Sequence, residues 1–243
     1  MTPQELVQES APAIGAAGAS FYFDSDTLAR GKELGLDGFR FYFLGRGGVL
    51  GDVEPAVVES AFGYFNIGVV EAMWNSAKEI VEPREAAREY LDCASRYGRS
   101  KLSGVDGLDE FNDAAESLIN GVETAGLALF AGIAAEPLPD DSPARAYRNI
   151  CTLRELRGSV HLLAVVATGL SVAKAHAIRR PGDVESFGWA PSVEISDDER
   201  ASLRAADKLT DQLLGPAFAK LSDDQANAFM SGVNAIVDLT TTP

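Results

Sequence analysis

The sequence predicts an all-α fold, a multi-helix globular bundle with little or no β-sheet. Two observations carry this prediction, namely explicit helix-start signals and an apolar period typical of helices. Thr2, Ser196 and Ser222 each stand three residues before a Glu or Gln, the spacing of a capping box. Ser142 precedes a proline, which suits the first turn of a helix. Over much of the chain, apolar residues recur every three or four positions, so one face of each helix can be buried.

Taken in order along the chain, these patterns predict helices at residues 55–64, 69–81, 83–97, 111–133, 144–168, 172–179 and 197–214. The longest apolar stripe runs from Phe111 to Ile133 and predicts one central helix. Three glycines inside it, Gly121, Gly126 and Gly132, lower helix propensity. We expect them to let a neighbouring helix approach closely.

Residues 39–43 are an exception, because aromatic side chains dominate them and the pattern there is typical of a strand. The glycine-rich segment 45–51 follows, as in the phosphate-binding turn of a dinucleotide-binding fold. That fold requires repeated strand-helix-strand units with an acidic residue ending the next strand. Here helices are predicted next, and Glu71 lies inside one of them. We therefore favour a plain turn whose glycines relieve crowding beside the aromatic residues.

The chain breaks where glycine, proline and acidic residues cluster, at residues 100–108, 136–141 and 181–191. A length of 243 residues is long for one average domain and short for two, so we expect one core or two closely packed helical halves. The middle break predicts an N-terminal half, residues 1–138, with the aromatic and glycine-rich motif. The C-terminal half, residues 139–243, carries a helix with arginine and histidine.

Composition narrows the classes of partner. The formal net charge of -15 and the pI of about 4.5 make nucleic acid and anionic lipid unfavourable partners. Cys93 and Cys151 form no CxxC pair, so neither a disulfide framework nor a zinc ribbon is predicted. The N-terminus shows no secretory signal, and the most apolar segment, 125–135, is about half the length of a membrane span. We expect a cytoplasmic protein with no membrane span.

The candidate site is a polar face on the predicted helix 144–168. At about 100° per residue, Arg154, Arg157 and His161 lie within about 60° of one another. The run 162–167 beside them is apolar, which places this face inward or in a cleft. Buried cations need partners, and two interpretations remain open. One is a pocket for a bound anion; the other is an internal ion-pair network with acids from the set Glu71, Glu155, Asp207 and Asp211.

His161 is a candidate general acid or base, since the ordinary pKa of histidine lies near neutrality. His176 is the only other histidine in the chain. No Cys, Asp or Glu stands at a recognised metal spacing from this pair, so no metal and no cofactor is predicted. The signatures GxSxG, P-loop and HExxH are absent from the sequence.

Aromatic residues are dense in the first third of the chain, at 21–23, 39–43, 62–65 and Trp74. Such clusters more often form core than a ligand site. Arg46 stands beside them and could stack on a ring or meet an anion. Arg46 and Trp74 therefore join the three polar residues as candidates for ligand binding.

Several of these motifs resemble a known family. Residues 41–51, Val57-Val58, 62–65, Trp74, 154–161 and Gly169-Leu170 are similar to the SalTA/EvbL-like actinobacterial proteins, which are catalogued as helix-turn-helix and sometimes encoded near antibiotic gene clusters. Members usually have a histidine before the first aromatic motif, where this chain has Gly18-Ala19-Ser20. The resemblance implies a degenerate helix-turn-helix-like end whose winged segment is lost. Residues 154–209 also weakly resemble the carboxymuconolactone decarboxylase and AhpD-like helical proteins, without their CxxC.

Three functional hypotheses follow. The first is a small-molecule-binding protein or accessory enzyme of actinobacterial secondary metabolism, with an anionic or carbonyl-bearing ligand near His161. The second is a degenerate helix-turn-helix transcriptional regulator whose resemblance reflects either ancestry alone or real DNA contact, for which Lys174, Arg179 and Arg180 are the densest basic group. The third is a structural homodimer built on the Gly- and Ala-rich helix faces.

Overall fold

A computed structural model describes residues 1–190 and 194–241. Within these ranges the chain forms twelve α-helices, one short 3-10 helix at Gly48–Leu50 and no strand, so the all-α prediction is confirmed. The α-helices are α1 Pro3–Ala17, α2 Ser25–Glu33, α3 Gly38–Gly47, α4 Pro55–Phe62, α5 Ile67–Lys78, α6 Pro83–Leu102, α7 Leu108–Asn120, α8 Ala128–Ala134, α9 Ser142–Ala167, α10 Val172–Arg179, α11 Asp197–Phe218 and α12 Asp223–Thr240.

Three of the four predicted helix starts are correct to the residue. Thr2, Ser196 and Ser222 each accept a hydrogen bond from the third backbone amide of their helix, and the Glu or Gln at that position bonds back to the cap. At the fourth start the N-cap is Asp141 and not Ser142. The Asp141 carboxylate accepts a hydrogen bond from a free amide at the helix start, and its negative charge is stabilised by the positive end of the helix dipole. Both effects favour Asp141 as the cap and explain the one-residue difference.

The strand predicted at residues 39–43 is wrong, because these residues lie in α3. Asp37 caps this helix by accepting a hydrogen bond from the amide of Arg40. The helix then buries Phe41, Tyr42 and Phe43 together, since α5 and α6 both pack against it. Aromatic residues favour strands only weakly, and helix packing outweighs that preference here.

The single central helix predicted at residues 111–133 is also wrong. It divides into α7, which ends at Asn120, and α8, which begins at Ala128. Gly126 has a φ of +78°, a left-handed conformation that no continuous helix contains. The apolar period crosses this turn because residues on both sides face the same core. Gly132 does allow close packing, since a Cβ there would lie 2.9 Å from a Val49 methyl carbon.

The other predicted helices agree with the structure except at their ends. Helix α11 extends to residue 218. Helix α6 extends to residue 102, so the first predicted break narrows to residues 103–107. The middle break separates α8 from α9 as expected. Pro191, at the end of the third predicted break, lies outside the described residues.

Helix α9 is the central element of the bundle. It packs against α1, α6, α7, α8 and α11, and most of its length is buried. One apolar core joins the segments before and after the middle break, with Trp74, Phe111, Tyr147 and Phe229 among its fully buried side chains. A second, smaller apolar cluster lies between the end of α9, α10 and α11. The division at residues 138 and 139 stays a prediction about chain organisation.

Among the described residues, no single helix has both the length and the apolar character of a membrane span. Helices α9 and α10 reach that length and composition only when they are counted as one segment, and the chain bends by 116° between them.

The glycine-rich segment after the aromatic residues allows α3 and its 3-10 extension to approach α6. A Cβ built on Gly48 would lie 1.9 Å from the carbonyl oxygen of Pro83, which is backbone and cannot move independently. We expect Gly48→Ala to lower the free energy of unfolding by about 3 kcal/mol through overpacking. Chemical denaturation measures this change.

Gly158→Ala is the matched control, because Gly158 lies inside α9 with open space where its Cβ would be. We expect this variant to raise the free energy of unfolding by about 1 kcal/mol through higher helix propensity. Equal effects of the two substitutions would contradict the close approach at Gly48.

Candidate functional site

A cavity of about 570 Å³ lies between α1, α3, α4, α9 and α10. Four of the five residues predicted for ligand binding line it, namely Arg46, Arg154, Arg157 and His161. The fifth, Trp74, does not. It is fully buried in the core, and its indole Nε1 donates a hydrogen bond to the carbonyl of Val53 at 2.9 Å. Its position therefore gives it no contact with a ligand in this cavity.

One end of the cavity is built on Glu155, which is 2% exposed. Arg46 binds both carboxylate oxygens, with Nε to Oε1 at 2.9 Å and Nη2 to Oε2 at 2.7 Å. Arg154 donates from Nη1 to Oε1 at 3.0 Å and to the hydroxyl of Tyr22 at 2.8 Å. The Tyr22 hydroxyl donates in turn to Oε1 at 3.0 Å. Two guanidinium groups thus share one carboxylate, which we call the Glu155 network.

The charges of this network are fixed at neutral pH. Burial raises the pKa of Glu155, but Arg46 and Arg154 lower it by more, to about 2. Burial also disfavours the charged form of Arg46, and Glu155 overcomes this so that the arginine pKa is raised. The network therefore holds two positive charges and one negative charge.

The other side of the cavity is built on α9, α10 and α11. Arg157 pairs with Asp211 at 3.3 Å, and Arg179 pairs with Asp207. His161 Nδ1 lies 2.9 Å from Thr210 Oγ1 and 3.8 Å from Asp207 Oδ1. The ion-pair network predicted from the sequence is therefore present.

The tautomer of His161 follows from its neighbour. The Thr210 hydroxyl donates its proton to the carbonyl of Ala206 at 2.7 Å, so it can only accept from His161. Nδ1 of His161 then carries the proton and Nε2 has a free lone pair. Burial lowers the pKa of His161, and the opposing effect of Asp207 does not reverse the shift. The imidazole is therefore mostly neutral at pH about 7.

The predicted polar face divides between these two sides. Arg154 belongs to the Glu155 network, whereas Arg157 and His161 face the acids of α11. Of the four acids predicted as partners, Glu155, Asp207 and Asp211 are partners. Glu71 is exposed on α5 and pairs with none of the three. The two interpretations coexist, because the ion-pair network also lines a cavity.

Sequence reasoning missed the part of the cavity that α10 and the following loop provide. Phe187 stacks on Phe65 with ring centroids 4.0 Å apart and an interplanar angle of 9°. His176 stacks on Phe187, also at 4.0 Å. The available signal was the turn before α10, where Gly169 has a φ of +72° and Ser171 caps the helix. That turn directs α10 back towards the aromatic residues.

Positive charge is in excess around the cavity. Five arginines line it, Arg46, Arg154, Arg157, Arg179 and Arg180, but only two acids, Glu155 and Asp207. Asp211 and Asp183, outside the lining, pair with Arg157 and Arg180. Among the residues that the structure describes, one arginine is therefore unmatched, in a chain whose formal net charge is -15. In residues 1–190 and 194–241, no three His, Cys, Asp or Glu side chains cluster as a metal site requires.

Comparison with known proteins assigns most of the chain to a family. The model described as Helix-turn-helix family matches residues 8–187, about three quarters of the chain. The chain belongs to this family. The match contains every cavity-lining residue except Asp207. Neither the curated proteins nor the solved structures contain a significant match.

The Glu155 network leads to a stability prediction. Glu155→Gln leaves the largely buried guanidinium groups of Arg46 and Arg154, 12% and 25% exposed, without a countercharge, so we expect the free energy of unfolding to fall by about 3 kcal/mol. Glu33→Gln is the control, since Glu33 forms an exposed pair with Arg30 and its loss changes stability by less than about 1 kcal/mol. Equal small losses in urea denaturation would contradict a shared, buried carboxylate.

The same carboxylate predicts a pH dependence. Its pKa is lower in the folded protein, about 2, than in the unfolded chain, so its contribution is complete above pH about 4.5 and is lost as the pH falls. We expect the stability difference between the wild type and Glu155→Gln to shrink by about 3 kcal/mol as the pH falls from about 5 towards 2. A difference that stays constant over this range would show that Glu155 titrates normally.

Proposed function

We propose that the protein binds an anionic aromatic small molecule in the cavity beside Arg154. The unmatched positive charge of the Glu155 network is the observation that carries this proposal. A partly buried cation without a countercharge is unfavourable, and a ligand carboxylate or phosphate would supply that countercharge. The chain as a whole is strongly acidic, so a local excess of arginine is not a product of composition.

Arg154 has the capacity to make this contact. Among the described residues, its side-chain hydrogen bonds run through Nη1 alone, to Tyr22 and Glu155. Its Nε and Nη2 donors remain for a ligand, and its side chain is 25% exposed beside the cavity. Arg46, in contrast, already uses three nitrogens on Glu155 and Tyr42. Arg154 is therefore the arginine that binds the ligand, and Arg46 positions Glu155.

The walls favour a flat apolar framework. Phe23 and Phe39 are 51% and 45% exposed and lie 5.8 Å apart at the cavity, although large apolar side chains are usually covered. Phe62 and Phe65 continue this wall inward. A volume of about 570 Å³ lies within the usual range for small-molecule sites. Aromatic ligands would bury these rings and gain from stacking.

The more specific hypotheses from the sequence, on the ligand type, the enzymatic role and the homodimer, stay predictions. A carbonyl-bearing ligand would also accept hydrogen bonds from Arg154, and His161 has the free lone pair that a general base requires. A role as an accessory enzyme of actinobacterial secondary metabolism depends on the resemblance to the SalTA/EvbL-like proteins. The homodimer is likewise a prediction, for which light scattering is the measurement.

Calorimetric titration with naphthoate and its neutral amide, naphthamide, tests the proposal. We expect naphthoate to bind at one site and at least about tenfold more tightly than naphthamide, because only the carboxylate matches the unpaired charge. Arg154→Gln removes that charge and leaves the Arg46 pair with Glu155. We expect this variant to bind naphthoate at least about tenfold more weakly, a change of about 1.4 kcal/mol.

Arg99→Gln is the matched control, since Arg99 forms a surface ion pair with Asp141 and does not line the cavity. It changes the total charge of the protein equally and is expected to leave the affinity for naphthoate unchanged. If both acid and amide fail to bind, or if Arg154→Gln binds naphthoate as the wild type does, the proposal is wrong.

A DNA-binding regulator is the second candidate, favoured by family membership and by one corner of the fold. Helices α9 and α10 meet at 116° across a four-residue turn that contains Gly169, the geometry of a helix-turn-helix. The basic groups of this corner are already paired, however. Lys174 bonds to Glu199, and Arg179 bonds to Asp207. Few cations remain there for phosphate contacts.

A gel-shift experiment at low salt separates the two candidates. Non-specific DNA binding depends on free Lys and Arg and weakens steeply with salt. With its basic residues paired and its net charge negative, the protein is expected to cause no retardation of genomic fragments at low salt. Retardation that disappears with added salt would favour the regulator.

A further inference from the structure

Two polar atoms in the cavity wall are buried without a hydrogen-bond partner among the described residues, the Tyr64 hydroxyl and His176 Nε2. His176 is 4% exposed. The centroid of the Tyr64 ring lies 6.5 Å from that of His161 and 6.3 Å from that of His176. Native structures leave few buried polar groups unpaired, so two such atoms on residues that line one cavity are candidates for pairing with a ligand group.

The state of His176 defines what it requires. The backbone carbonyl of Asp183 stabilises a proton on the other ring nitrogen, so the neutral ring favours the tautomer with the proton on Nδ1. Burial and the nearby Arg180 lower the pKa of His176, so the ring is neutral at pH about 7. Nε2 is therefore a lone-pair acceptor without a donor.

The state of Tyr64 is equally defined. Burial is the main cause that raises its pKa to about 12, so the hydroxyl keeps its proton at neutral pH. A phenolic hydroxyl can donate one hydrogen bond and also accept. The Tyr64 hydroxyl can therefore pair with a hydrogen-bond acceptor of the ligand, with a donor, or with a group that is both.

Only some ligand groups satisfy both atoms at once. A carboxylate accepts from Tyr64 but offers nothing to His176 Nε2. An ammonium could donate to both atoms, but it would add a positive charge beside Arg179 and Arg180. A hydroxyl does both with one oxygen. Its neighbourhood is aromatic, because Phe187 stacks on His176 and Phe65 stacks on Phe187. A hydroxyl on an aromatic ring fits this combination.

We propose that Tyr64 and His176 form a subsite for a phenolic hydroxyl of the ligand, so that the cavity takes a hydroxylated aromatic acid. This inference rests on the proposed function, which supplies the acid at Arg154. It adds a second, neutral anchor on the α10 side of the cavity. The two anchors together select a molecule with an anionic group and a phenol.

Three matched pairs of probes test the subsite with the full-length protein. They are benzoate and para-hydroxybenzoate, naphthoate and hydroxynaphthoate, and biphenyl carboxylate and hydroxybiphenyl carboxylate. We expect the hydroxylated member of at least one pair to bind about tenfold more tightly in calorimetry, since two unpaired atoms become paired. The use of three ring sizes allows for the unknown distance between the two anchors.

Two variants locate the effect. Tyr64→Phe and His176→Phe keep an aromatic ring and remove one polar anchor each, so we expect each to reduce the hydroxyl preference to less than about threefold. The preference is measured in each variant as the ratio of the two affinities, so a general loss of binding in the altered wall does not count as support. Tyr90→Phe is the matched control, because Tyr90 also has a buried, unpaired hydroxyl but lies outside the cavity lining. It should keep the full preference.

A direct reading of His176 completes the test. The chain has two histidines, so nitrogen-15 spectra of the imidazoles contain few signals, and His161→Gln assigns them. We expect the Nε2 resonance of His176 to move when the hydroxylated acid binds and to stay in place with the unsubstituted acid. If His176→Phe does not fold, Tyr64→Phe and this spectrum still decide the question.

The outcomes separate the two proposals. If no acid of any pair binds, the proposed function fails and the subsite fails with it. If the unsubstituted acids bind through Arg154 but hydroxylation adds no affinity, the subsite alone fails, as expected if water already satisfies both atoms. A hydroxyl preference that survives in Tyr64→Phe and His176→Phe also overturns the subsite.

Discussion

The bidentate pair between Arg46 and Glu155 is the constraint on which the site depends. It joins α3 to the central helix α9 inside the bundle, where a charge is tolerated only with close partners. Gly48, just after Arg46, lets the 3-10 extension of α3 pass close to α6, which fixes the position from which Arg46 reaches α9. Once Arg46 saturates Glu155, the neighbouring Arg154 is held by the same carboxylate but not neutralised by it. The excess charge of the cavity thus follows from the way α3 packs on its neighbours.

The cavity remains open because the polar side chains that line it are bound to partners on α11. Arg157 and Arg179 are held by the acids of α11, and His161 by Thr210, so none of them folds into the space. The aromatic wall is fixed by stacking from Phe65 to His176 through Phe187. Burial keeps both histidines neutral, so positive charge concentrates on the arginines. The result is a cavity with a cationic end, an aromatic wall and a neutral polar end.

Much of this could be predicted from the sequence, because local signals decide it. Capping chemistry and helical period located most of the helices, although not α2 or α3, and the same period placed Arg154, Arg157 and His161 on one face of α9. The aromatic run 39–43 was misassigned since its helical state depends on packing by α5 and α6, which no local pattern encodes. The sequence predicts Trp74 as a ligand-binding residue because it lies among dense aromatic residues. In the structure its indole instead donates a hydrogen bond to the carbonyl of Val53 inside the core. His176 and Phe187 were missed because the turn at Gly169 that returns α10 to the cavity acts across the fold.

The family match and the cavity belong to the same stretch of chain, since residues 8–187 contain nearly all of the lining. A crystal structure of the naphthoate complex tests the central claim most directly. We expect the naphthoate carboxylate within hydrogen-bond distance of Arg154 Nε or Nη2, with its rings against Phe62 and Phe65. An empty cavity at saturating naphthoate, or a carboxylate that points to bulk solvent and leaves Arg154 without a ligand, would contradict the claim that this protein binds anions here.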